Sequence, residues 1–217
     1  MIEAAADFIT QKVICFTTVI TRSEENKLQT HALFAGDFRE SFRLGAEVSR
    51  QVHIKYTDRK YKRVVALLDE HYDDLWVGGK ASYKLGGVIE EGGELIIYAP
   101  HLHSISKTHG ALIEKYGYAP MEIIRELVLK NEDLRENLCA AAHLAHVSFG
   151  SRRDSAGNVL PLYKITLATQ VIEEVCHRVN LSYLDHRAFS LEEYKNVSDT
   201  LIVENAGRDL FLKSGNS

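Results

Sequence analysis

Arg63-Val64-Val65-Ala66-Leu67-Leu68, running on to Asp73-Asp74-Leu75-Trp76-Val77-Gly78-Gly79-Lys80, is the stretch that decides the fold. A near-continuous apolar run has no polar face to offer water, so it suits a strand covered on both sides, as in a buried parallel sheet. The two aspartates that follow can cap a helix, and the pattern predicts one from Leu75 to Leu85. Toward the C-terminus the alternation continues with a strand at Glu94 to Ala99, helices between Ser104 and Leu138, and a strand at Ala142 to Ser148. A loop at Ser151 to Asn158 leads to a strand at Tyr163 to Leu167, a helix at Gln170 to Val179 and a strand at Leu201 to Glu204. This order predicts an α/β domain, a mostly parallel sheet with flanking helices.

Toward the N-terminus the pattern changes. Val52-His53-Ile54-Lys55-Tyr56 alternates like a strand, and Asp37 is placed to cap a helix from Phe38 to Ser49 with Phe38, Phe42, Gly45 and Ala46 on one face. Before it come a helical pattern from Ile2 to Ile9 and strands at Val13 to Ile20 and His31 to Ala35, joined by a turn at Ser23-Glu24-Glu25-Asn26. A block of about 50 residues is too small to bury a good core. Its first helix has no preceding cap and leads into a strand that needs sheet neighbours. The expectation is a fragment of a second α/β domain at 1–56, in need of a partner surface, followed by a C-terminal domain at 57–217.

Composition removes several classes of function. With 45% hydrophobic and 26% charged residues the chain is not of the disordered type. The balance of 26 basic against 30 acidic residues, with no run of like charge, predicts no nucleic-acid partner. The densest basic cluster, Arg59, Lys60, Lys62 and Arg63, reads as a solvated turn. No apolar stretch is long enough to span a membrane, and the start lacks the basic and apolar regions of a signal peptide. Cys15, Cys139 and Cys176 are far apart and have no CxxC spacing, so neither a disulfide framework nor a thiolate zinc site is expected. A cytoplasmic location follows.

Trp76 and Lys80 stand four apart on the predicted helix, at the strand end where α/β sheets place their ligand clefts. Gly78 and Gly79 are expected to leave that face low, so that Lys80 can present its charge to a carboxylate or a developing oxyanion. The plainer alternative is a packed tryptophan with a snorkelling lysine. Glu91-Gly92-Gly93 reads as a tight turn into the next strand, not a phosphate loop, because its glycines precede the strand. Beyond that strand lie His101, His103 and His109. His143 and His146 follow at H-x-x-H spacing; as strand residues they fall on opposite faces, whereas on a helix they would share one face and could hold a metal. Strand is the expectation, which leaves no metal ligand set. At the sheet edge, neutral imidazoles can hydrogen-bond a substrate. Glu173, Glu174, His177 and Arg178 match the dipole of their helix, and Asp185-His186-Arg187 reads as a charged turn. No Ser-His-Asp set or GxSxG elbow is present.

Several of these stretches in the same order carry a resemblance to a family. DDLWVGGKASYK, EEGGELIIYAPH and THGALIEKYGY, within residues 73–118, resemble the C-terminal domain of the nickel-pincer lactate racemase family. So do AHLAHVSFG (142–150), KITLATQ (164–170) and EEVCHRVNLSYLD (173–185), while HALFAGDFRESFRLGAEVS looks like the exit from that family's N-terminal domain. The resemblance implies a racemase or epimerase of 2-hydroxy acids or sugar acids that works by hydride removal and return on a nickel-pincer nucleotide. It assigns substrate-charge stabilisation to Lys80 and substrate contact to Trp76, His143, His146 and His101. Trp76 stands where lactate racemases carry tyrosine, and Val77 where they carry glutamine, which points to a substrate other than lactate. The family's cofactor-anchoring lysine, nickel-binding histidine and catalytic histidine pair have no counterpart in these 217 residues. The chain is therefore expected to be truncated, inactive alone and dependent on a missing N-terminal domain or companion chain. Two further readings stand beside this one: a non-catalytic hydroxy-acid-binding module and a histidine-based metal hydrolase.

Overall fold

The computed structural model describes residues 2–23, 25 and 27–215. The chain forms two compact units, one up to Ile54 and one from Lys55 onward. In the first, helix α1 (Ile2–Ala6) precedes an antiparallel hairpin of β1 (Cys15–Arg22) and β2 (Leu28–Gly36), followed by helix α2 (Phe38–His53). Glu24 and Asn26 of the expected turn lie outside the described residues. The first helix ends at Ala6 instead of continuing to Ile9. Asp37 caps α2 as expected, its carboxylate accepting from the backbone N–H groups of Arg39 and Glu40.

The buried face of α2 differs from the expectation. Ser41 and Gly45 are buried whereas Phe42 is exposed. The cause is close approach: a Cβ on Gly45 would stand 2.5 Å from Thr17 Cγ2, so the helix lies on β1 through its small residues. Among the described residues of this unit Val19 is the buried apolar one, and Phe16, Ile20 and Leu33 remain exposed. Phe16 and Ile20 alternate with the inward-facing Thr17 and Val19, so two large apolar side chains lie on the open side of the hairpin with Thr18 between them.

The second unit is α/β. After β3 (Ile54–Thr57) and β4 (Tyr61–Leu67) come α3 (Leu75–Gly78), α4 (Lys80–Leu85) and β5 (Ile89–Ala99). Four helices follow: α5 (Gly110–Tyr116), α6 (Met121–Lys130), α7 (Glu132–Glu136) and α8 (Leu138–Ser148). The rest comprises β6 (Ser151–Arg153), β7 (Val159–Pro161), β8 (Lys164–Thr169), α9 (Glu173–Arg178), β9 (Ser182–Tyr183), β10 (Thr200–Val203) and β11 (Leu210–Lys213). A five-stranded sheet runs β10-β4-β5-β8-β9 with every neighbouring pair parallel. The fold class is the expected one, a parallel sheet flanked by helices.

Val64, Val65 and Ala66 are all fully buried, which is why the run from Arg63 shows no alternation. Val64, Ala66, Leu95 and Ile97 face the main core under the helices, while Val65 and Ile96 face a thinner layer formed by Leu184, Phe189, Leu191 and Tyr194. Phe189 stacks on both Tyr98 and Tyr194, with ring centroids 4.2 and 5.3 Å apart. At the start of the sheet Glu94 accepts from Arg63, Lys164 and Thr166, and these donors hold its carboxyl below the usual range despite partial burial.

Three local expectations are corrected. Gly92-Gly93 does not turn into a strand but forms a bulge inside β5: Tyr61 pairs with Ile89 and Arg63 with Glu94, so extra residues are accommodated on one side. Gly92 has φ +74°, and a Cβ on Gly93 would meet Lys62 O at 2.7 Å. The stretch from Ser151 to Asn158 is not merely a loop, because it includes β6 and the turn that pairs β6 with β7. Ala142 to Ser148, expected as a strand, belongs to α8. The exposed side of that helix carries apolar Leu138, Cys139 and Ala142, which removes the 3.6-residue signal.

Candidate functional site

The predicted helix from Leu75 is two short helices meeting at Gly79. Asp74 is buried, and its carboxylate accepts from Val77 N at 3.2 Å and from Lys107 N at 3.3 Å. It thus caps α3 and fastens it to the loop that leaves β5. Leu75 N and Trp76 N reinforce the junction by donating to Ser104 O and Ile105 O at 3.1 and 2.9 Å. Lys107 and Asp73 add a surface ion pair at 2.7 Å. The backbone under Trp76 is therefore held by groups from the ends of both β4 and β5.

On this support the indole of Trp76 packs against two imidazoles. His109 lies 4.5 Å away between ring centroids and His143 4.2 Å, with planes inclined by 33° and 32°. His143 comes from α8, and a hydrogen bond of 3.3 Å joins its Nε2 to Tyr118 Oη, its direction set by the imidazole tautomer. Burial, together with the neighbouring His146 and His109, pushes His143 down to about 4, so it is a neutral ring at physiological pH. Burial also raises Tyr118, which stays protonated. His109 N donates to Ser106 Oγ at 3.1 Å, and Cys139 Sγ approaches His109 Nε2 at 3.9 Å.

Gly78 and Gly79 do not leave an open face; both are buried. A Cβ on Gly78 would meet Leu68 and Leu102 at 3.1 and 3.2 Å, and one on Gly79 would meet Val147 at 2.8 Å and His143 Cε1 at 3.3 Å. Their lack of a side chain lets α8 approach α3, and this brings His143 to Trp76. Lys80 follows at the start of α4, exposed and without a hydrogen bond or ion pair among the described residues. It stands one residue beyond Gly79, on the second of the two short helices.

The remaining predicted residues separate. His146, sharing a helix with His143, stacks on Tyr83 at 4.2 Å and 17°. His101 shares a hydrogen bond of 3.1 Å with Tyr72 O, and His103 one of 3.3 Å with His101 O, so both fix the loop after β5. The sequence reading missed Tyr118 and Cys139, which sit in no spacing motif, and left His109 without a role. The signal that could have found Cys139 is the helical register of α8, since Cys139 and His143 are four apart and share a face.

Among the described residues no group of three or more His, Cys, Asp or Glu side chains could hold a metal ion. No helix among them is long and apolar enough to cross a membrane.

No protein-family model and no curated protein matches the chain. Solved structures do. A protein from Thermotoga maritima is 31% identical with a TM-score of 0.81, over 93% of this chain and 50% of that one. The lactate racemase apoprotein from Thermoanaerobacterium thermosaccharolyticum is 14% identical with a TM-score of 0.63, over 92% of this chain and 45% of that one. The chain thus has a lactate racemase-like fold and spans about half the length of the structures it matches.

Proposed function

We propose that this chain supplies the substrate-holding part of a racemase or epimerase acting on a 2-hydroxy acid or a sugar acid. The observation that carries the reading is the packing of Trp76 against His109 and His143 within a lactate racemase-like fold, with the unpaired Lys80 next in sequence to the Gly79 that His143 approaches. Lys80 offers an uncompensated positive charge for the substrate carboxylate. Neutral His143 can exchange a hydrogen bond with the substrate hydroxyl, and Trp76 forms an apolar wall beside the carbinol carbon. Inversion would require a hydride to leave that carbon and return to its opposite face, while the hydroxyl proton leaves and returns at oxygen.

The nickel-pincer nucleotide that the resemblance implies would accept and return the hydride. The described residues do not fit as its anchor, since they form no metal-holding group. In this proposal the anchor belongs to an N-terminal domain or a companion chain. The same donor inventory gives a histidine-based metal hydrolase no ligand set. Cytoplasmic placement is part of the proposal and rests on three free cysteines.

Trp76 is the single tryptophan of the chain, so its emission reports this site alone. Titration with D-lactate, L-lactate and gluconate should give a saturable change for at least one acid, and Lys80→Met should abolish it. No saturable response to any of the three would sink the reading. Binding without racemisation, once the chain is combined with a cofactor-loaded N-terminal half, would leave a hydroxy-acid-binding module in its place.

A further inference from the structure

A cavity of about 250 Å³ lies where β8 and β9 begin, lined by residues that include Ser148, Arg152, Leu160, Ile165 and Leu181. Trp76, Lys80, His109 and His143 are not among them, and Tyr118 alone is shared with the group described above.

Two residues of this lining carry a buried polar atom without a partner. Among the described residues, three buried side-chain nitrogen or oxygen atoms lack a hydrogen-bond partner, and two of them, Ser148 Oγ and Arg152 Nε, belong to residues that line it. Buried polar atoms are nearly always paired, because an unpaired one forfeits its hydration without return. A guanidinium cannot escape by losing its proton. Arg152 forms no ion pair with any described carboxylate. The nearby candidates are committed elsewhere: Lys164 and Glu94 pair at 2.8 Å, and Ser151 Oγ donates to Glu122 at 2.7 Å. Arg152 is the unspent charge of the cavity.

We propose that this cavity binds a small organic carboxylate, its carboxyl group held by the Arg152 guanidinium and the Ser148 hydroxyl and its apolar body set against Leu160, Ile165 and Leu181. The planar guanidinium fork matches a carboxylate in two-point geometry. The apolar walls select an organic acid over an inorganic anion, which would leave them unfilled. The volume accommodates an acid of a few carbons.

The full chain is titrated with butyrate, with inorganic phosphate and butanol as comparators, and followed by the Arg152 Nε–H resonance and by thermal unfolding. Butyrate should shift the resonance saturably and raise Tm, while neither comparator does. Arg152→Gln should weaken binding at least tenfold and Ser148→Ala several-fold, while Lys80→Met leaves it unchanged. Should Arg152→Gln fail to fold, Arg152→Lys decides: it keeps the charge but loses the fork, so weakened binding is expected and unaltered affinity overturns the proposal. Absence of saturable binding, equal response to phosphate, or full affinity in Arg152→Gln overturns it as well.

Discussion

The Trp76 indole and the His143 imidazole lie 4.2 Å apart between ring centroids, although 66 residues of sequence, from 77 to 142, separate them. The contact exists because Gly79, next to α3, presents no Cβ to α8.

Gly79→Ala should therefore disturb the site as well as the packing. The added methyl would stand 2.8 Å from Val147 Cγ2 and 3.0 Å from Leu75 O, and backbone oxygen cannot move aside cheaply. A loss of about 1 to 3 kcal/mol is expected from overpacking. Denaturant unfolding measures it, and altered Trp76 emission in the folded variant locates the displacement.

Acid should weaken the fold through His143. A histidine in the unfolded chain titrates near 6.5 and the folded one near 4, so between these values the unfolded state binds more protons. Stability is unaffected by this group above that window and falls as pH is lowered through it. Thermal unfolding from pH 7 to pH 4 should show the decline, and His143→Gln should flatten it. An unchanged profile in the variant would assign the acid sensitivity to other groups.

Lys80→Ala and Lys80→Met should leave Tm nearly unchanged, since the side chain is exposed and makes no described polar contact. In an active assembly containing this chain, turnover should fall by about a hundred to a thousand, the effect of losing one preorganised donor to developing charge. Near-full kcat/KM in both variants would make Lys80 an ordinary surface lysine. A parallel loss of Tm would prevent that interpretation, so both quantities are measured on one preparation.

Hydrogen exchange should rank the two sheets. Leu95 to Ile97 lie in the fully covered centre of the parallel sheet, whereas β1 pairs with one strand and leaves Phe16 and Ile20 exposed. Amides of β1 should exchange faster by orders of magnitude than those of Leu95 to Ile97. Equal protection would show that the hairpin is stabilised as well as the central sheet.

The parallel sheet was legible because its strands are buried on both faces and stand between helices at regular intervals. What misled the reading was α8. Leu138 to Ser148 has alanines or other apolar residues on most of its surface, so neither a period of 3.6 nor one of 2 emerges, and the β-branched Val147 before Gly150 imitates a strand end. That one error put His143 and His146 on opposite faces and hid Cys139 as a neighbour of His109. Gly78 and Gly79 were visible as unusual, but their meaning depended on Leu68, Leu102 and Val147, distant residues that no local pattern names. Tyr118 and Arg152 were missed for a similar reason: each acquires significance from a partner found, or not found, across the fold.

Strands β3 and β11 pair with each other, and Ser214 N donates to Thr57 O at 2.7 Å. Entry to and exit from the parallel-sheet unit are thus one hydrogen bond apart. Such a unit can be cut and rejoined: linking residue 214 to residue 57 and opening the chain at the exposed tip between Asp154 and Gly157 would reorder the sequence while the pairings of the five-stranded parallel sheet are retained. The topology is then nearly a closed loop, and the position of the termini is separable from the path that builds the site.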